Sequence, residues 1–132
     1  MILGIGTDLC EIKRIEVMLR RHGARALKRL LTPSERERVH THPHPAAYVA
    51  KRFAAKEALV KALGIGFRGG ISFQDMEILN DAYGAPLVRL SGAVQNNLAS
   101  RISPHQSAHI HLSLSDGKDH ALAFVVIERQ SA

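Results

Sequence analysis

The segment PAAYVAKRFAAKEALVKALG, residues 45–64, constrains the fold more than any other, because it reads as one helix that is apolar nearly all the way round. A surface helix keeps its charges opposite its apolar stripe, and this one does not. At 100° per residue Glu57 falls between Phe53 and Ala50, flanked by Val60 and Ala54, with Lys61 one turn on along the same strip. An ionised carboxylate there, left without a partner, would shift its pKa up by several units and lose its charge. A nearby cation would keep it ionised. The alternative is an ordinary i, i+4 pair on a solvated edge, worth about 0.3 kcal/mol. The helix by itself does not choose between them.

A chain of 132 residues is expected to form one domain, residues 1–132, burying about two thirds of its unfolded surface. Its lone cysteine, Cys10, has no intramolecular disulfide partner, and MILGIGTDLC lacks both a basic leader and a long apolar run. A cytoplasmic location is therefore expected. No stretch approaches 18 uninterrupted apolar residues, which argues against a membrane span. The formal charge of +6 is concentrated early, at Lys13, Arg14, Arg20, Arg21, Arg25, Lys28 and Arg29, and calls for an acidic partner. With no Trp, two Tyr and four Phe there are few platforms for stacking bases, so nucleic acid ranks last among such partners.

Along the chain, residues 2–7 alternate as a short strand, and Ile12, Ile15, Met18 and Leu19 then follow helical spacing, so a strand is expected to give way to a helix near Asp8. Thr32-Pro33-Ser34-Glu35 has the form of a capping box with proline in the first turn. Gly64 suits the left-handed position that closes the long helix. After a turn containing Gly64, Gly66, Gly69 and Gly70, ISFQDMEIL and LVRL flank NDAYGAP as an antiparallel pair. Ser91 starts a helix expected to run through Ile102. HIHLSLS, the Asp116-Gly117 turn and ALAFVVI make a closing hairpin. Paired strands without regular βαβ alternation indicate an α+β fold, with an antiparallel sheet packed on one long buried helix.

Three constellations could carry chemistry. Asp8, Glu57 and Lys61 supply two acids and an amine. Magnesium takes one or two carboxylates plus waters and phosphate oxygens, so these three residues make a workable pyrophosphate site if the fold joins them. His40, His42 and His44, with His109 and His111, invite a zinc reading, but no cysteine spacing supports it and the strand pair can simply hydrogen-bond across a sheet. Gly4-Ile5-Gly6 lacks the third glycine of a dinucleotide turn, and glycine there more plainly admits another backbone or a ligand close to the strand.

GIGTDLCEIKRIE and RFAAKEALVKALG, followed by HIHLSLSDGKDHALAFVVIE, closely resemble the holo-acyl-carrier-protein synthases, the small 4'-phosphopantetheinyl transferases of bacterial fatty acid synthesis. The resemblance covers essentially the full length. It implies transfer of phosphopantetheine from coenzyme A to a serine of an apo acyl carrier protein, with release of adenosine 3',5'-bisphosphate. By the same matching, Asp8 and Glu57 hold magnesium, Glu57 helps remove the serine proton, and Lys61 steadies the phosphoryl group. Arg52, Gly64 and His111 line the coenzyme A site. Arg14, Met18, Arg21 and Arg25 form the docking face for the acidic carrier. The family is similar to a homotrimer with sites between subunits, which implies that the Gly84-Ala85-Pro86 turn and the strand around Ser115 belong to a neighbour's pocket. The chain departs from the family at Asp116, where many members carry His, and at Ala85, where lysine is frequent; both concern the nucleotide end. A nonenzymatic basic adaptor using residues 13–29 is the rival reading, and it would ignore coenzyme A.

Overall fold

A computed structural model describes residues 1–68 and 70–131; Gly69 of the expected glycine-rich turn lies outside them. The order is β1 (Ile2–Glu11), α1 (Ile12–Leu30), α2 (Pro33–Val39), α3 (Pro45–Leu63), a 3-10 turn (Phe73–Asp75), β2 (Met76–Asn80), β3 (Pro86–Leu90), α4 (Gly92–Ala99), β4 (Gln106–Asp116) and β5 (His120–Ser131). β1, β5 and β4 form an antiparallel sheet in that spatial order, and β2 and β3 form a separate hairpin. Helix α3 lies on the three-stranded sheet. Its residues Ala54, Ala55, Ala58, Leu59, Val60 and Leu63 are buried with Ala121, Ala123, Val125 and Ile127 of β5. The expected α+β arrangement of an antiparallel sheet on one buried helix is what the chain forms.

The contact between β1 and α3 is unusually close, and glycine makes it possible. A Cβ at Gly4 or Gly6 would overlap the carbonyl oxygens of Ala62 and Ala58. The glycine pair therefore admits a helix backbone to the strand, as its sequence setting suggested.

Two boundaries differ from expectation. β1 does not stop before Asp8; it continues to Glu11, because Asp8, Leu9 and Cys10 pair with Ala123, Leu122 and Ala121. Ladder bonds to β5 outweigh the poor strand propensity of an aspartate. α4 ends at Ala99 rather than Ile102, and Ser91 occupies its N-cap position without a side-chain cap bond. Arg101 is instead turned toward α3, where its guanidinium donates to the Leu63 carbonyl at that helix's end. α3 itself stops as expected, at Gly64 with φ 70°.

α2 starts at the capping box, where the Glu35 carboxylate accepts the Thr32 N–H at 2.8 Å. α1 carries a break that spacing does not reveal: Gly23, at φ 45° and ψ −122°, interrupts the helical backbone between Met18 and Arg25. A residue with a Cβ would be strained there, so the kink belongs to glycine.

Candidate active site

On β1, Gly4, Gly6, Asp8 and Cys10 share the face that meets α3, because successive strand residues alternate sides. The close glycine contact brings the last two turns of α3 against this face, and Lys61 reaches β1 directly. Its Nζ donates to the Thr7 carbonyl at 3.1 Å and lies 3.2 Å from Asp8 Oδ1. The Lys61 side chain is 56% exposed and that of Asp8 15%. Glu57, one turn earlier, is half-buried. Burial pushes its carboxyl above the usual carboxylate range, and the negative charge of Asp8 pushes it further; Lys61 and then Arg14 pull it back. Two acids distant in sequence thus share one electrostatic site.

Arg14 and Met18 of α1 line a cavity of about 320 Å³ together with Glu57. Phe53, Phe67 and Phe73 give it an aromatic side, and Ile15, Arg29 and Leu30 complete the lining; Phe67 and Phe73 stack with centroids 4.2 Å apart. Arg25 lies beyond the Gly23 break on a second, smaller groove that it shares with Met18 and Arg29. Arg21 is exposed on the same helix.

Other candidate residues fall elsewhere in the chain. Arg52 is 6% exposed, with its guanidinium 4.4 Å above the Tyr48 ring and Nη2 donating to Asn80 Oδ1 at 2.8 Å. Asn80 in turn donates to the Gly84 carbonyl at 2.9 Å and pairs with Pro86, so Arg52, Gly84 and Pro86 form a second cluster. Gly64 borders an open cleft of about 640 Å³ with Arg68, Asn96 and Asn97. His111 projects from the opposite sheet face, where Nε2 lies 3.0 Å from Glu128 Oε1 and holds that carboxyl below its usual range. Asp116 is 3.4 Å from Lys51, and Asp81 rather than a ligand engages the Ala85 N–H, at 2.9 Å.

One group of charges went unrecognised in the sequence. Lys56 is completely buried, with Nζ 2.6 Å from Glu35 Oε1 and 2.8 Å from the Leu30 carbonyl. Burial pushes its ammonium pKa down and the Glu35 charge opposes that shift. The signal was present, since Lys56 shares a helical stripe with Val49, Phe53, Leu59, Val60 and Leu63. Glu35, read as a cap, concealed its second role.

Residues 4–125 match the family model described as the 4'-phosphopantetheinyl transferase superfamily. A holo-[acyl-carrier-protein] synthase from Zymomonas mobilis is 53% identical over 130 residues, covering 97% of each chain. The crystal structure of that synthase from Neisseria meningitidis superposes with a TM-score of 0.87 at 43% identity, covering 97% of this chain and 99% of the other. A synthase from Bacillus anthracis, crystallised in complex with coenzyme A (3',5'-ADP), superposes at 0.79 with 37% identity, covering 99% of both chains.

Proposed function

The chain belongs to the 4'-phosphopantetheinyl transferase superfamily, and on that premise we propose that it moves the 4'-phosphopantetheine arm of coenzyme A onto a serine hydroxyl of an apo acyl carrier protein, releasing adenosine 3',5'-bisphosphate. The observation that carries the reading is the convergence of Asp8, Glu57 and Lys61 where β1 meets α3. Among the described residues no group of three or more His, Cys, Asp or Glu side chains is gathered. Two acids placed so that the charge of Asp8 raises the proton affinity of Glu57 suit a hard divalent cation whose other positions are filled by water and phosphate oxygens, as magnesium prefers. Asp8 and Glu57 would hold it. When bound, magnesium neutralises the charge that grows on the leaving bisphosphate.

The protein's own side chains do the rest. The serine oxygen bonds to the phosphorus bearing the pantetheine while the bond from that phosphorus to the leaving adenosine 3',5'-bisphosphate breaks. Glu57, its proton affinity raised by burial, takes the serine proton. Lys61, more than half exposed, follows the transferred phosphoryl oxygens with its ammonium. Arg14 and Met18 border the same cavity as Glu57, so a carrier docked on α1 with Arg21 and Arg25 delivers its serine to that acid.

The coenzyme site is completed between copies of a homotrimer. Support comes from the outer face of the β1–β5–β4 sheet, where Ile5, Leu9, Leu122 and Phe124 are between 43% and 64% exposed, an apolar face that a second copy would cover. It comes also from Arg52, a buried cation with no ion-pair partner among the described residues, which suits a phosphate. Gly84 and Pro86 sit beside Arg52, while His111 stands on the apolar outer face. Gly64 adds the end of α3. The reaction belongs to fatty acid biosynthesis in the cytoplasm; no helix among the described residues is long and apolar enough to cross a membrane.

Mass spectrometry of an apo acyl carrier protein incubated with this chain, coenzyme A and magnesium tests the reading. The carrier gains the mass of phosphopantetheine, and omission of the metal prevents the gain. An unchanged carrier mass in the complete mixture would leave the adaptor reading standing.

A further inference from the structure

We propose that the buried Lys56–Glu35 pair positions the catalytic acid: it fixes the rotation of α3 about its axis, and with it the direction in which Glu57 points. This rests on Glu57 being the acid of the transfer reaction.

The need for such a device follows from the composition of α3. Buried residues occur all round the helix, among them Val49, Ala50, Ala54, Ala55, Ala58, Leu59, Ala62 and Leu63. Apolar burial therefore gives no torque toward one orientation, and a surface of many alanines offers little shape to lock it. Two features break this uniformity. On one side, Gly4 and Gly6 receive the Ala62 and Ala58 backbones. On the other, Lys56 Nζ donates to Glu35 Oε1 at 2.6 Å and to the Leu30 carbonyl, the end of α1, at 2.8 Å.

Glu35 is itself held. Its Oε1 accepts from the Thr32 N–H and its Oε2 from the Ile78 N–H, each at 2.8 Å. The pair thus ties α3 to the end of the docking helix, to the start of α2 and to β2 in one hydrogen-bonded node. Removing one partner strands a charge in the core, and specifying register is the best-attested use of such groups. Glu57 is the next residue. With a side-chain radius of roughly 5–6 Å, a 20° rotation of α3 would displace its carboxylate by about 2 Å. A shift of even about 1 Å costs on the order of 10²-fold in rate.

The test compares Lys56→Met, Glu35→Gln and the double variant Glu35→Gln/Lys56→Met, with thermal melting, steady-state kinetics and crystal structures. The double variant, freed of the stranded charge, melts above Lys56→Met. It nevertheless loses at least about 10-fold in kcat while KM for coenzyme A and for carrier changes less than about threefold, and the Lys61–Asp8 contact opens in its structure. A double variant with kcat within about twofold of the parent and that contact intact would overturn the proposal, leaving the pair as packing alone. Should the double variant not fold, Glu35→Gln, which weakens the tie by removing the Glu35 charge and one of its two acceptor oxygens, is read by the same two criteria. Should the parent show no transfer at all, the assigned reaction fails instead, and the positioning role is decided by the Lys61–Asp8 contact in the variant structures: opened supports it, intact refutes it.

Discussion

Helix α3 presents two lysine–carboxylate contacts five residues apart that differ in almost everything except chemistry. Lys61 and Asp8 are 3.2 Å apart with the lysine 56% exposed, whereas Lys56 and Glu35 are 2.6 Å apart with neither in contact with solvent. The exposed contact is weak by design: water screens it, and each partner can leave the other for a ligand of opposite charge. The buried contact has no such freedom, since both charges were taken from water and each must keep its hydrogen bonds. On the proposed function, accessibility separates a pair that would work on a substrate from one that would hold the working pair in place.

The sharpest way to break this contrast is to remove the acids of the exposed site. Glu57→Gln or Asp8→Asn should lower kcat by about 10²–10⁴-fold, the range expected for loss of a general base, with melting little changed. Parent-like turnover in either variant would detach the site from the reaction. The lysines should respond in the opposite sense. Lys56→Met should cost about 3–5 kcal/mol of stability by stranding Glu35, while Lys61→Met should cost no more than about 1 kcal/mol and show its effect in turnover. Equal losses of stability in urea titrations would erase the distinction drawn here.

A smaller effect concerns pH. Glu57 has a raised carboxyl pKa in the folded chain, caused first by burial and then by Asp8. Between its unfolded and folded values the native state holds a proton that the unfolded state has released, so raising the pH through that window removes stability. Glu57→Gln should abolish this part of the slope and leave the metal-free protein slightly more stable at neutral pH. Asp8→Asn, followed by carboxyl NMR without metal, should bring the Glu57 titration down, and Lys61→Met should move it up. A titration unmoved by Asp8→Asn would mean that the two carboxylates do not share a site.

Much of this was legible in sequence because it depends on local rules. Pro45 and Gly64 bracket α3, Thr32 and Glu35 open α2, and Asp116-Gly117 turns β4 into β5. Asp8, Glu57 and Lys61 were legible as chemistry but not as neighbours, since nothing in spacing brings residue 8 to residue 57. The glycine pair was the hint, and its meaning needed the partner backbone. The limits of β1 failed for the same reason: Asp8 is a strand residue because β5 pairs with it, which is information held more than a hundred residues away. Lys56 was lost in a run of charges, and the Gly23 break in α1 lay hidden in an otherwise helical spacing. Arg52 is assigned to the coenzyme A site by resemblance alone, and spacing gives no sign that Tyr48 and Asn80 enclose it.

The smallest expected effect lies farthest from the core. Arg14 and Arg21 are on α1, Arg14 at the cavity that contains Glu57 and Arg21 exposed to solvent. Charges at the rim of an interface act mainly on encounter, and at physiological ionic strength their reach is about 8 Å. Reversal by Arg21→Glu should therefore raise KM for carrier by several-fold at low salt, with the difference shrinking as salt is added and KM for coenzyme A nearly constant. Arg14→Glu should do the same and also touch turnover, because its positive charge helps to draw the Glu57 carboxyl down. Removing that cation raises the proton affinity of Glu57, so the acid limb of the Arg14→Glu rate profile should move to higher pH, while that of Arg21→Glu stays where it is in the parent. Identical profiles for the two variants would place Arg14 outside the catalytic field and reduce it to a docking charge like its neighbour.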